Sequence, residues 1–215
     1  MPDESGPPEP FGEITEAVRP VLDSRFAARE HAITTSRKVI RSSANAIRSL
    51  HRGDVEAADA LIAEAKRLYR SIVDATIDHR ELLHVGYAHD AAKELSEASL
   101  TSAMFRGEAL PGHEELGVDP VPYLHGLGET VGECRRRLLD QLRAGDLASA
   151  EQLLATMDSV VDTLASLDYP DGMTNSLRRT TDVSRSLVER SRSDLTTTVV
   201  QERLRIQIES GGRPD

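Results

Sequence analysis

Two pairs of glutamates in this chain have the spacing needed to hold a divalent cation. Glu94 and Glu97 are three residues apart, and Glu129 and Glu133 are four apart. If each segment is helical, both members of a pair lie on the same face. Neighbouring carboxylates repel one another, whereas Mg²⁺ prefers oxygen ligands and would remove that repulsion. A solvated acidic face is the alternative interpretation, and the spacing alone leaves it open.

The first pair belongs to a predicted helix over about 80–105. The apolar seam of that helix consists of Ala88, Ala91, Leu95, Ala98 and Phe105. At about 100° per residue, Glu94 lies on the flank of the seam, whereas Asp90 and Glu97 lie further round. We therefore expect Asp90 and Glu97 to point towards solvent.

The second pair lies among glycines and just before a basic run. Gly126, Gly128 and Gly132 fall inside one predicted helix, where each glycine is disfavoured by about 1 kcal/mol relative to alanine. Such glycines predict close approach by another helix or by a ligand backbone. The basic run is Arg135, Arg136 and Arg137. Together these residues could hold a metal ion and a phosphate; tight helix packing beside a surface charge cluster is the alternative.

The long N-terminal helix carries a second basic feature, formed by Arg37, Arg41, Arg48 and Arg52. These side chains fall within about 60° of one another around the helix axis and form an arginine stripe. The stripe runs beside a predicted apolar seam of Phe26, Ile33, Ile40 and Ile47. Phosphate binding and a merely solvated helix face both fit this pattern.

The sequence lacks the motifs of several other common chemistries. The chain contains no P-loop, no GxGxxG and no GxSxG. Its one cysteine, Cys134, excludes a disulfide framework and a multi-cysteine zinc site, and we expect it to be a small core residue. No HxxxH pair is present, and the one Glu-x-x-His motif, Glu81 to His84, lacks the second copy that a di-iron bundle needs.

Charge restricts the partners. Acidic residues outnumber basic ones by 36 to 26, a formal net charge of −10, which argues against nucleic-acid binding by bulk electrostatics alone. The lysines are only Lys38, Lys66 and Lys93, so arginine supplies most of the positive charge. Many carboxylates and few lysines suit a surface that stays hydrated in concentrated salt, so we hypothesise a halophilic source. Bias towards GC-rich codons is the alternative.

Helical periodicity runs through almost all 215 residues. Alternation typical of strands is missing, and six predicted helices span about 12–51, 55–79, 80–105, 121–143, 147–167 and 174–210. This pattern predicts an all-α bundle of six helices over 11–210, between disordered tails at 1–10 and 211–215. The end of the last helix, 199–208, is apolar enough to dock on a partner.

Neither a membrane span nor a signal peptide is predicted. No stretch of about 18 uncharged apolar residues exists. The acidic, proline-rich start lacks the basic and apolar regions of a signal peptide. We therefore expect a cytoplasmic protein with no membrane partner.

Several segments resemble the translin/TRAX family. They are the run 36–52, the motif Lys-Glu-Leu-Ser-Glu-Ala at 93–98 with the loop to 118, the motif Tyr-Leu-His-Gly-Leu-Gly-Glu-Thr-Val-Gly-Glu-Cys-Arg at 123–135, and the ending 177–196. The resemblance rests on the order and spacing of these segments, which span about 13 to 205.

The resemblance implies an all-α bundle of about seven helices, so six to seven in all, a hollow homo- or hetero-oligomer, and binding of single-stranded RNA or DNA. TRAX-type members are Mg²⁺-dependent endoribonucleases whose carboxylate ligands lie on two helices and face the inner cavity. Matched residue by residue, the first carboxylate pair is Glu94 and Glu97 and the second is Glu129 and Glu133. One departure is that the position of Glu129 is usually aspartate in the family.

Three hypotheses follow. In the first, Glu94, Glu97 and Glu129, joined by Glu133, bind Mg²⁺ or Mn²⁺ for cleavage of single-stranded RNA, while the arginine stripe and the run 135–137 hold phosphates. In the second, the protein is a non-catalytic oligomer that binds single-stranded DNA or RNA. In the third, it is a helical metal-binding or scaffold protein with no nucleic-acid role.

Overall fold

Helices account for nearly all of the computed structural model, which describes residues 9–211. Across this range there are eight α-helices, one 3₁₀ turn at Arg80–His84 and no strand. The helices are α1 (Glu9–His51), α2 (Val55–Ala75), α3 (Gly86–Arg106), α4 (His113–Leu116), α5 (Pro120–Ala144), α6 (Leu147–Ala165), α7 (Asp171–Thr174) and α8 (Leu177–Glu209). The predicted all-α bundle is confirmed, with six long helices and two single turns.

The predicted boundaries needed three corrections. The segment 76–85 is not continuous helix: α2 ends at Ala75, and extended backbone at Val85 separates the 3₁₀ turn from α3. The last helix starts at Leu177 because Asn175 and Ser176 adopt positive φ angles of 50° and 63°. The first helix begins at Glu9, inside the predicted tail. The remaining residues of the two predicted tails, 1–8 and 212–215, lie outside the described residues.

Glycine–aspartate pairs mark two of the helix junctions. Gly53 and Gly145 take left-handed φ angles of 76° and 78° that end α1 and α5. The carboxylates of Asp54 and Asp146 then accept hydrogen bonds from backbone amides in the first turns of α2 and α6. These caps satisfy amides that helix starts leave without partners, so the predicted stop and cap at both junctions are confirmed.

The packing places α3 at the centre of the bundle. It contacts α1, α2 and α5, while α5 also contacts α6 and α8. The larger core lies among α5, α6 and α8 and includes Cys134, which is 1% exposed, as predicted for a core residue. The second core lies among α1, α2 and α3. The contact between α3 and α5 therefore joins the two halves.

The predicted apolar seam of α1 is buried only at Ile47, which is 7% exposed. Phe26 is 63% exposed, and Ile33 and Ile40 are half-buried. The buried row is instead Ala28, Ala32, Val39, Ala46, Ile47 and Leu50, with small hydroxyl side chains between them. Small residues let α1 pack closely on α2 and α3, so the larger isoleucines lie mostly at the edge of that contact.

Both long terminal helices expose apolar side chains. On α1 these are Phe11, Ile14, Val18, Val21 and Leu22. On α8 they are Val200, Leu204, Ile206 and Ile208, in the segment that the sequence marks as a docking surface. No helix in the described range 9–211 combines the length and the hydropathy that a membrane span requires.

Candidate metal centre and nucleic-acid interface

Three of the four predicted glutamates meet where α3 and α5 pack. Glu94 and Glu97 from α3 and Glu129 from α5 place one carboxylate oxygen each within 4.8 Å of one another. We call these three residues the acidic cluster. Mg²⁺ in octahedral coordination holds its ligand oxygens about 3–4 Å apart, so the cluster offers hard donors at a separation that a divalent ion could close.

Gly126 allows this approach. A Cβ atom at this position would lie 2.6 Å from the Lys93 carbonyl oxygen and 2.9 Å from the Glu97 amide nitrogen. The helix α5 therefore presses on the backbone turn of α3 that carries the acidic pair. Gly128 similarly faces α8, with Thr180 Cγ2 at 2.3 Å. Close approach by another helix, predicted from the glycines, is confirmed at both positions, whereas Gly132 has only an ordinary contact at 4.0 Å.

Glu97 lies in the interior and not towards solvent as its position relative to the seam predicted. It is 9% exposed, because α5 packs directly on this turn of α3, with Gly126 against the Glu97 backbone. Burial, followed by the charges of Glu129, Glu94 and Glu133, raises the pKa of Glu97 to about 8. Asp90 is exposed, as predicted.

Lys93 is a member of the site that the sequence reasoning missed. Its Nζ donates to Glu129 Oε1 at 2.8 Å and lies 3.5 Å from Glu94 Oε1. Burial opposes its charge, but the hydrogen bond to Glu129 and the surrounding carboxylates outweigh burial and raise the pKa of Lys93. Its place directly before Glu94, as a lysine in an arginine-rich chain, was the available signal.

Glu133, the fourth predicted ligand, lies outside the acidic cluster. Its Oε2 is 2.5 Å from His51 Nε2 at the end of α1. The His51 side chain is only 5% exposed and packs edge-on against Phe105, with ring centroids 5.3 Å apart. Sequence reasoning placed His51 only at a helix end, because a contact 82 residues away leaves no local pattern.

The arginine stripe lies on the accessible surface of α1, which fits both the phosphate-binding and the solvated-face interpretation. Arg37, Arg41, Arg48 and Arg52 are all exposed. His51 points to Glu133 on α5, and at 100° per residue the stripe lies about 40–100° round α1 from His51. The stripe therefore lies next to the face of α1 whose last residue, His51, contacts α5. Within residues 9–211, Arg37 and Arg41 form no ion pair.

The basic run 135–137 does not form one patch. Arg135 donates to Ser191 Oγ and Asp194 Oδ2 on α8, at 2.9 Å and 2.8 Å. Arg136 is exposed, and Arg137 lies 4.4 Å above the Phe105 ring. Consecutive helix positions point about 100° apart, so the three side chains lie in three different environments.

Comparison with known proteins finds relatives that share most of the chain. No protein-family profile matches it. An uncharacterized protein of Methanocaldococcus jannaschii is 28% identical over 187 residues, which cover 86% of this chain and 82% of that protein.

The similar solved structures include AfC3PO alone and AfC3PO in complex with duplex RNA. Each has a TM-score of 0.80 and 32% sequence identity, and each match covers 86% of this chain. The match covers 97% of the AfC3PO chain determined alone and 96% of the chain in the RNA complex. The apo form of NeC3PO has a TM-score of 0.75 and 20% identity, covers 90% of this chain and is covered completely; this last match concerns the fold alone.

Proposed function

The chain belongs to the translin/TRAX family, to whose C3PO-type members it is structurally similar, and we propose that it is an RNA-binding oligomer that cleaves single-stranded RNA with Mg²⁺ or Mn²⁺. The observation that carries the proposal is the convergence of carboxylates from α3 and α5 in the acidic cluster. A solvated acidic face, the simplest alternative, accounts poorly for a 9%-exposed glutamate among two others.

RNA binding is supported by a relative and by the arginine stripe. AfC3PO forms a complex with duplex RNA. In this chain, the exposed guanidinium groups of Arg37 and Arg41 can donate in parallel to phosphate oxygens. With a net charge of −10, such contacts must act locally, so we expect affinity to fall as salt rises.

The donor set fits a hard divalent ion. All three members of the acidic cluster offer oxygen, and their mutual repulsion favours any cation that binds between them. Bound there, the ion would stabilise charge developing on the phosphate and activate water. Glu97 must lose its proton before its carboxylate can coordinate the ion, since burial and the other carboxylates raise its pKa to about 8. Glu133 and His51 then form a neighbouring pair that positions α1 beside the cluster.

The test is cleavage of a labelled single-stranded RNA with Mg²⁺, compared with EDTA. Glu129→Ala should abolish metal-dependent cleavage, and Glu129→Asp, the residue usual in the family, should retain it. Glu151→Ala, at an exposed position on α6, controls for loss of one carboxylate elsewhere. Equal rates for the wild type and Glu129→Ala would remove the assignment.

The second candidate is a non-catalytic binder of single-stranded RNA or DNA. The ion pair between Lys93 and Glu129 favours it, because a cation already occupies one side of the acidic cluster. This candidate predicts salt-dependent retention of oligonucleotides with no cleavage and no metal requirement.

A further inference from the structure

Lys93 places a positive charge beside two of the three carboxylates that a metal ion would have to bind. Its ammonium nitrogen is 2.8 Å from Glu129 Oε1 and 3.5 Å from Glu94 Oε1. Among residues 9–211 no other cationic side chain forms an ion pair with a member of the acidic cluster. The ammonium group therefore offsets part of the repulsion that a divalent ion would otherwise relieve.

The same oxygens cannot serve both cations well. A metal ligand oxygen lies about 2.0–2.1 Å from Mg²⁺, so an ammonium held 2.8 Å from Glu129 Oε1 would stand close to a doubly charged ion. Like charges at such a distance repel strongly, the more so in a partly buried site.

The side chain has room to leave. Lys93 is 20% exposed, so it lies at the edge of the site and not in the interior. Its four-carbon stem is flexible, unlike the planar guanidinium of arginine. Asp90 is exposed and lies one turn earlier on α3, within reach of an (i, i+3) ion pair.

We propose that Lys93 is a displaceable internal cation that competes with the divalent ion for Glu129 and Glu94 and thereby sets the metal affinity of the site. The proposal rests on the proposed function, because it takes the acidic cluster as the metal ligands. In the metal-free protein Lys93 bridges α3 and α5, and on metal binding it moves out towards Asp90.

Calorimetric titration of the full-length protein with Mn²⁺ tests the competition. It is done above the Glu97 pKa of about 8, so that protons compete little. Lys93→Gln should bind Mn²⁺ about tenfold more tightly than the wild type, the size expected for removing one partly exposed like charge. Lys93→Arg, which keeps the charge, should bind no more tightly than the wild type. Lys38→Gln, at an exposed position on α1, removes the same charge elsewhere and should change nothing.

The possible failures are distinguishable. If the wild type binds Mn²⁺ and Lys93→Gln binds it equally or more weakly, the competition is refuted while the metal site stands. If neither protein binds Mn²⁺, the metal site itself is refuted, and the proposed function with it. Circular dichroism melts of all variants show whether a loss of binding comes from a loss of fold.

Displacement can also be seen directly, because the chain has only three lysines. A spectrum of protein labelled with ¹³C at lysine Cε should show three signals, and Lys93→Gln identifies the one from Lys93. Saturating Mg²⁺ should move that signal towards the position of exposed lysines and leave the signals of Lys38 and Lys66 in place. An unmoved Lys93 signal at saturation overturns the proposal.

Discussion

Two successive turns of α5 carry the same residue types and end in different surroundings. In the first turn, Gly126 packs on the backbone of α3, and Glu129 joins the acidic cluster. In the next turn, Gly132 has only an ordinary contact with α8, and Glu133 pairs with His51. Spacing along a helix decides which side chains share a face, but the neighbouring helices decide what that face does.

The largest difference between the two turns should appear in cleavage rate. Glu129→Gln removes a proposed metal ligand, and we expect a loss of about 10²–10³-fold, as for deletion of one group that stabilises a transition state. Glu133→Gln removes a neighbour of the cluster, and we expect about 10-fold. Single-turnover cleavage of labelled RNA at saturating Mg²⁺ measures both. Equal losses would mean that Glu133 is a ligand of the same rank.

The second largest difference between the two turns of α5 should appear in the pH dependence of stability. Glu97, which faces the first turn, has its pKa raised from 4.5 to about 8, mainly by burial. Between these values the folded protein holds a proton that the unfolded chain has lost, so stability falls as pH rises through this range. Without divalent ions, we expect the wild type to lose on the order of 3 kcal/mol between pH 5 and pH 9.

Urea unfolding at a series of pH values measures this loss. Glu97→Gln should be much less sensitive to pH, because the amide does not ionise. Glu151→Gln, on the exposed face of α6, should keep the wild-type slope. A wild-type slope in Glu97→Gln would show that another group binds the proton.

The glycines provide the third contrast. Gly126→Ala places a methyl group 2.6 Å from a backbone carbonyl oxygen of α3, which must force the helices apart, and we expect a loss of about 2 kcal/mol in unfolding free energy. Gly132→Ala meets nothing closer than 4.0 Å and should gain up to about 1 kcal/mol from helix propensity. Urea denaturation measures both changes, and the same sign for both would contradict the packing described above.

The sequence predicted much of this architecture because helices follow local rules. Periodicity located the six long helices, and the glycine–aspartate pairs located two of the junctions. Prediction from the sequence failed where tertiary packing determines the surroundings of a side chain. The pattern of α3 alone predicts that Glu97 faces solvent, but α5 packs on that turn of α3 and buries it. His51 meets Glu133 from 82 residues away, and no pattern within α1 indicates that contact.

Lys93 was missed for a different reason. It is adjacent to a predicted ligand, but residues i and i+1 do not share a helix face, so adjacency is too weak a signal to place Lys93 in the site. Long side chains reach beyond the direction set by their Cβ atoms, and the ammonium bends back to contact both Glu94 and Glu129. Face-based reasoning is therefore more dependable for short side chains than for lysine.

The smallest expected effect comes from a comparison of two arginines, one on α1 and one on α5. Arg41 belongs to the exposed arginine stripe, whereas Arg135, two residues after Glu133 on α5, is held by Ser191 and Asp194. We expect Arg41→Ala to weaken binding of single-stranded RNA several-fold and to reduce the slope of log K against log salt by about 0.7, one phosphate contact. Arg135→Ala should leave both quantities unchanged, since its guanidinium is already bonded. Fluorescence anisotropy over a range of KCl concentrations measures affinity and slope together. The reverse result, with Arg135 setting the slope and Arg41 silent, would place the RNA on α5 and not along α1.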